Sequence, residues 1–377
     1  MIQCNLTSVS CRNPPAYVAL SYCWGDGSLR QTVIVNGHQV SITESLATAL
    51  RYMRNDKTSA LVWADAICIN QYDRDEKSVQ VAMMGDIYAQ ASLVWIWLGE
   101  PAGNSDLAMD FIRKALGLDF TNPSYSLDPV VWSAVKALLK RPWWGRLWVI
   151  QEALLSKKAI LNCGSKSADL ECLVHLKELQ TQYLLAPLEQ RLEPIRSSLV
   201  SPFGLLLLRW KDIRISIAKG QATLKELIDM TGEAKCFLLV DKIYGIMSMC
   251  NAQDRRHIPI DYKCCAACVV LRVGKYIFRK YEMFGPLAVL QTHQVVKNDA
   301  LPSWAPDYAK YDYESHFVFP ASNDCKPFRA AADNAAWFSL GLPKFPDMSW
   351  FFQNTVPTDQ LEVVAKHPQL GWPCYRK

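Results

Sequence analysis

Through the first 165 residues, short apolar runs of strand length alternate with longer segments whose apolar positions recur every three or four residues. The run 17–24 (YVALSYCW) is β-prone and ends in the turn signal Gly25-Asp26-Gly27. A second β piece, 32–35, is closed by the hairpin signal Asn36-Gly37. Ser41 and Glu44 are spaced as a capping box, before a helix with Leu46, Ala49, Leu50 and Met53 on one face. The run 61–69 (LVWADAICI) reads as a strand buried on both faces. Asp65 interrupts it, and a carboxylate there needs hydrogen bonds or a partner. Residues 73–77 open a helix with Val79, Met83 and Ile87 inward. The run 92–98 (SLVWIWL) is a further buried strand, stopped by Gly99-Glu100-Pro101. Helices are predicted over 106–116 and 130–140, and a strand over 158–162 with a turn at Cys163-Gly164. This alternation predicts an α/β fold: a doubly wound, mainly parallel sheet. Beyond Gly164 the pattern turns helical, over 171–188, 223–230 and 263–281, and from 301 onward it is aromatic, Pro-rich and loop-like. The expected division is 1–165 for the α/β domain and 166–377 for a mainly helical extension.

Residues 141–155 (RPWWGRLWVIQEALL) hold the densest chemistry. Trp144, Leu147, Trp148 and Leu155 fall on one stripe of a 3.6-residue period, and Pro142 suits a first helical turn. A continuous helix puts Glu152 one turn after Trp148, on the flank of that stripe. It also puts Arg146 about 600° of rotation before Glu152, so the two are expected to face different ways. In open α/β sheets ligands bind beyond the carboxyl ends of the strands. Residues 24–26, 70–71 and 99–100 are predicted at those ends.

Composition narrows the classes. The chain has 377 residues, half of them hydrophobic, and a net charge of +5 with no basic block. That argues against a dedicated nucleic-acid binder. Thirteen cysteines, an odd number with no secretory leader before them, read as reduced thiols in a cytosolic or nuclear protein, with the cytoplasm the expected location. No apolar run is long enough to span a bilayer. The six histidines are scattered singly, so neither a metal site nor a His-based triad is expected. The phosphate-binding glycine loops and the nucleophile elbow are absent. Cys264, Cys265 and Cys268 include a C-x-x-C spacing, read as small buried residues of an apolar helix, with redox chemistry the alternative.

Four blocks, taken together and in order, are far more specific. YVALSYCWGD (17–26), VWADAICINQYDRDEKSVQVAMMGDIYAQA (62–91), VWIWLGEP (94–101) and RPWWGRLWVIQEAL (141–154) strongly resemble the fungal heterokaryon-incompatibility (HET) domain. DKIYGIMSM (241–249), IPIDY (258–262) and LPSWAPDY (301–308) are similar to segments that often follow that domain. Family members usually carry an arginine where this chain has Val240. The resemblance implies a fungal protein of self/non-self recognition that triggers growth arrest or cell death. It also implies an incompatibility partner protein, while the charge distribution already speaks against nucleic acid. At the level of fold, the strand–helix order looks like the Toll/interleukin-receptor (TIR) domain, a flavodoxin-like sheet of order 2-1-3-4-5. Some TIR domains cleave the nicotinamide–ribose bond of NAD, using a glutamate four residues after a tryptophan. By that analogy Glu152 is the candidate catalytic residue, and NAD a substrate rather than a bound cofactor. A TIR-like activity of this kind would be switched on by self-association. Trp24 and Trp148 are candidates for stacking on the bases, and Arg146 or Arg141 for the pyrophosphate. Asp26, Asp65 and Asn70 would support the substrate. The alternatives are a non-catalytic assembly scaffold, with the tryptophans as core aromatics, and a biosynthetic enzyme on a borrowed fold.

Overall fold

The computed structural model describes residues 2–54, 59–117, 128–185, 207, 209–232 and 234–281. A short strand β1 (Gln3–Cys4) is followed by β2 (Val18–Tyr22), β3 (Arg30–Val35), β4 (His38–Thr43) and helix α1 (Glu44–Met53). Then come β5 (Val62–Trp63), α2 (Asp65–Cys68), α3 (Arg74–Gln90), β6 (Leu93–Trp97), α4 (Ser105–Arg113) and α5 (Pro129–Leu139). The helix α6 (Trp148–Leu154), the hairpin β7 (Ala159–Cys163) and β8 (Lys166–Asp169), and α7 (Leu170–Leu185) complete the sheet region. Further helices are α8 (Trp210–Ala218), α9 (Leu224–Thr231), α10 (Asp241–Met247), α11 (Ala252–His257) and α12 (Ala266–Tyr281).

The main sheet runs β5-β2-β6-β7-β8. All its pairs are parallel except the β7–β8 hairpin. Numbered along the chain, that is the order 2-1-3-4-5. A second sheet, β1-β3-β4, is built on the hairpin whose turn residues Asn36 and Gly37 both have positive φ, at 51° and 80°. Two positive φ values are what a two-residue turn needs to follow the strand twist. Alternation in β2 decides what each face carries. Leu20 and Tyr22 pack with Val33, Ile42, Leu46, Ala49 and Trp97 in the core beneath the second sheet and α1. Ser21 points to the opposite face, where α3, α6 and α10 pack together.

Past the strand Lys166–Asp169, which carries the sheet beyond the expected boundary at 165, the regular elements among the described residues are helices, as expected. Thr223 and Glu226 form a reciprocal capping box at the start of α9. Other expectations are corrected. The run 61–69 is not a long strand: only Val62–Trp63 pair with β2, and the chain turns helical at Asp65. The Asp65 carboxylate accepts the Ala66 N–H at 2.8 Å, which favours a turn over an extended ladder. Ser41 does not cap α1; it lies in β4, and Thr43 accepts the Leu46 N–H instead. The segment 141–155 is not one helix either. Residues Pro142–Gly145 form a 3-10 turn, Arg146 is extended, and α6 starts at Trp148. The cause is tertiary: the Gly145 carbonyl and the Leu147 N–H are both taken by the backbone of Lys235. Those groups are therefore lost to a helical ladder.

The sheet ends at Asp169, and the compact unit containing it runs to Arg256. A second unit begins at His257; in its described part, Val269, Val270, Val273 and Ile277 form the buried stripe of α12. The motif at 301–308 lies outside the described residues. Among the described residues no helix is long and apolar enough to cross a membrane, and no group of three or more His, Cys, Asp or Glu is placed to hold a metal.

Candidate functional site

A cluster of ionisable groups is assembled where β2 ends. Glu152, on α6, is 4% exposed. Its carboxylate accepts a hydrogen bond from the Ser21 hydroxyl, which in turn accepts the Trp143 indole N–H at 2.9 Å. A serine hydroxyl has one proton to donate, so the indole N–H fixes it on Glu152. The Tyr88 hydroxyl, on α3, lies between Glu152 and the Leu20 carbonyl, to which it donates at 3.1 Å. Its lone pairs are then available to a protonated Glu152.

Asp65 lies beside this group. As a residue it keeps some exposure, but its carboxyl group sits in the buried surroundings of Tyr22, Trp24 and Arg146. The Trp24 indole N–H donates to it at 2.8 Å, and the Gln71 amide donates to the Asp65 carbonyl at 3.3 Å. The Tyr22 hydroxyl faces the same carboxyl group without meeting strict hydrogen-bond geometry. Arg146 anchors the arrangement by donating to the Tyr22 carbonyl. Its backbone is extended rather than helical, and its positive charge favours the ionised form of both acids.

Burial dominates the electrostatics. It raises the Glu152 carboxyl to about 7, and the Asp65 charge pushes the same way. The Arg146 charge, the hydrogen bond from Ser21 and the neighbouring Tyr88 hydroxyl oppose the rise. Asp65 is also raised by burial, against the pull of Arg146, Trp24 and Tyr22. Tyr22 and Tyr88 are pushed well above the ordinary phenol value, first by burial, so both keep their protons. A carboxyl group that exchanges its proton near neutrality, held by a directed hydroxyl, is equipped for general acid–base or charge-stabilising work.

The other expected site residues stand apart from this cluster. Asp26 is exposed and accepts from the Ser28 N–H and hydroxyl, a local turn that lowers its own carboxyl. Asn70 is exposed too; its side chain accepts the Tyr72 N–H and its backbone N–H reaches Glu76, which shapes the entry to α3. Asp73 caps that helix. Trp148 packs beside Gly245 of α10. Arg141 ties the loop after β6, donating to the Leu98 and Ala102 carbonyls at 2.9 and 3.3 Å. Sequence reasoning missed Ser21, Tyr22, Tyr88 and Trp143. All four lie inside the recognised blocks, but as uncharged residues in apolar runs they carry the signature of core packing.

Comparison with known proteins follows the same blocks. The model of the family "Heterokaryon incompatibility protein (HET)" matches residues 17–152. This segment is a HET domain. Its boundaries enclose Ser21, Tyr22, Trp24, Asp65, Tyr88, Trp143, Arg146 and Glu152, the whole of the buried cluster. The chain is also 26% identical, over 81% of its length, to heterokaryon incompatibility protein 6, OR allele, of Neurospora crassa. The match covers 55% of that protein, so the chain spans about half the length of the curated relative. No solved structure matches the chain.

Proposed function

We propose that the chain is an effector of fungal non-self recognition, acting in the cytoplasm. Its HET domain (1–165) would carry the toxic activity and residues 166–377 would regulate it. The activity we assign is cleavage of the nicotinamide–ribose bond of NAD, with Glu152 as the catalytic carboxylate. Bond breaking leaves positive charge on the ribose, which a preorganised carboxylate stabilises until water completes the cleavage. The single observation that carries this reading is Glu152 itself, an acid raised to about 7 and oriented by Ser21 at the end of β2. That is where parallel sheets of this order place their ligands. Because Glu152 is 4% exposed, a substrate would need a more open conformation to reach it. Self-association, or a partner protein, would have to draw α6 from Ser21 to admit a substrate.

The burial also favours a second reading: a scaffold in which Glu152 only fixes α6 against β2. Inducible expression in a fungal host separates the two. The proposal expects wild type to arrest growth while cellular NAD falls, and Glu152→Gln to do neither. Growth arrest with NAD unchanged would refute the enzymatic reading in favour of the scaffold.

A further inference from the structure

The C-x-x-C segment has geometry that an apolar helix face does not require. Cys265 immediately precedes α12, and its sulfur accepts the Cys268 backbone N–H at 3.2 Å. The same sulfur lies 2.7 Å from the Cys268 sulfur. The Arg272 guanidinium, one turn further along, reaches the Cys264 sulfur at 3.8 Å. All three residues are half-buried thiols, not disulfides. Residues three apart at a helix start hold their Cβ atoms about 5–6 Å apart, close enough for modest backbone adjustment to join them. We propose that Cys265 and Cys268 are a reversible dithiol–disulfide pair, with Cys264 as the neighbouring thiolate that admits a small disulfide oxidant of the glutathione class.

The chemistry balances. The Cys264 thiolate attacks the oxidant, forming a mixed disulfide and releasing one small thiolate. Cys268 attacks the Cys264 sulfur and expels the second. Cys265 then attacks Cys268 and returns Cys264 as thiolate, leaving the 265–268 bond. Two protein thiols lose two electrons and two protons, and the oxidant becomes two small thiols. The last exchange is favoured because the thiol of lowest pKa is the best leaving group. Hydrogen bonding from Cys268 and the Arg272 charge lower Cys264 to about 7, against the opposing effect of burial. An ordinary thiol sits nearer ~8.5, so Cys264 carries on the order of tenfold more thiolate at neutral pH.

The test uses the full chain, equilibrated with reduced and then oxidised glutathione, quenched with an alkylating agent and cut with trypsin. Cleavage after Lys263 and Arg272 releases residues 264–272 as one peptide holding all three sulfurs. The expected product after oxidation is a peptide two hydrogens lighter, with the alkyl group on Cys264 and the bond between Cys265 and Cys268. Adding a dithiol should restore triple alkylation. Cys264→Ser should slow bond formation by on the order of tenfold without preventing it, and Cys268→Ser should prevent it. Triple alkylation after oxidation, or glutathione retained on Cys264 with no internal bond, would overturn the proposal.

Discussion

Replacing Glu152 with glutamine isolates the buried acid from everything around it. In the folded protein its carboxyl titrates at about 7, against 4.5 for an unburied glutamate. Below about pH 4.5 both folded and unfolded chains hold the proton, and its contribution to stability is fully present. As pH rises, the unfolded chain releases the proton first, so the folded state loses ground until its own group ionises near 7. The difference of 2.5 pKa units is worth about 3 kcal/mol, lost between pH 4.5 and 7 and constant above. Glutamine is neutral throughout, keeps an oxygen for the Ser21 hydroxyl and can offer its amide to Tyr88. Glu152→Gln should therefore match wild type within about 1 kcal/mol at pH 5 and exceed it by about 3 kcal/mol at pH 8. Asp65 adds to the same trend, since the variant no longer carries a like charge beside it. Urea denaturation followed by tryptophan fluorescence at a series of pH values measures this directly. A stability gap independent of pH would refute the reasoning, because it would mean that Glu152 does not titrate differently in the folded state.

Other perturbations probe the neighbours. Arg146→Met removes the positive charge that both acids share, and should cost about 2–3 kcal/mol at pH 8 and less at pH 5, read by the same denaturation series. Gly85→Ala would place a Cβ 2.4 Å from the Ser248 Cβ, where α3 meets the end of α10. It should lower stability by about 1–2 kcal/mol after allowing for the better helix propensity of alanine. Adding Ser248→Gly should recover part of that loss, which two independent sites would not do. Trp24→Phe loses the indole hydrogen bond to Asp65 and should cost about 1–2 kcal/mol, whereas Asp26→Ala, at an exposed turn, should leave the urea midpoint unchanged.

The sheet was legible because its strands are apolar runs punctuated by glycine, and alternation with helical periodicity implied the parallel order. What local pattern could not carry was competition from distant backbone. Residues 141–155 have the composition and stripe of a helix, yet Lys235, far along the chain, captures the Gly145 and Leu147 backbone groups and breaks it. That break leaves Arg146 extended, with its guanidinium on the Tyr22 carbonyl. Asp65 was marked correctly as a carboxylate needing partners, but the partners came from Trp24, Tyr22 and Arg146 rather than from a strand ladder. Ser21 and Tyr88 stayed invisible for another reason. A hydroxyl inside an apolar run looks the same in sequence whether it satisfies a carbonyl or orients an acid. Asp26 and Asn70, by contrast, drew notice as polar residues at strand ends, and the structure places them in exposed turns.

The central claim is that Glu152 is the reacting carboxylate of the HET domain. Its most direct test is nicotinamide release from NAD by the purified full chain, fused to a dimerising module to force association, with Glu152→Gln alongside. The account predicts release by wild type and only background release by the variant, whose fold is retained. Equal release by both proteins would remove Glu152 from the chemistry, and no release by associated wild type would contradict the enzymatic assignment.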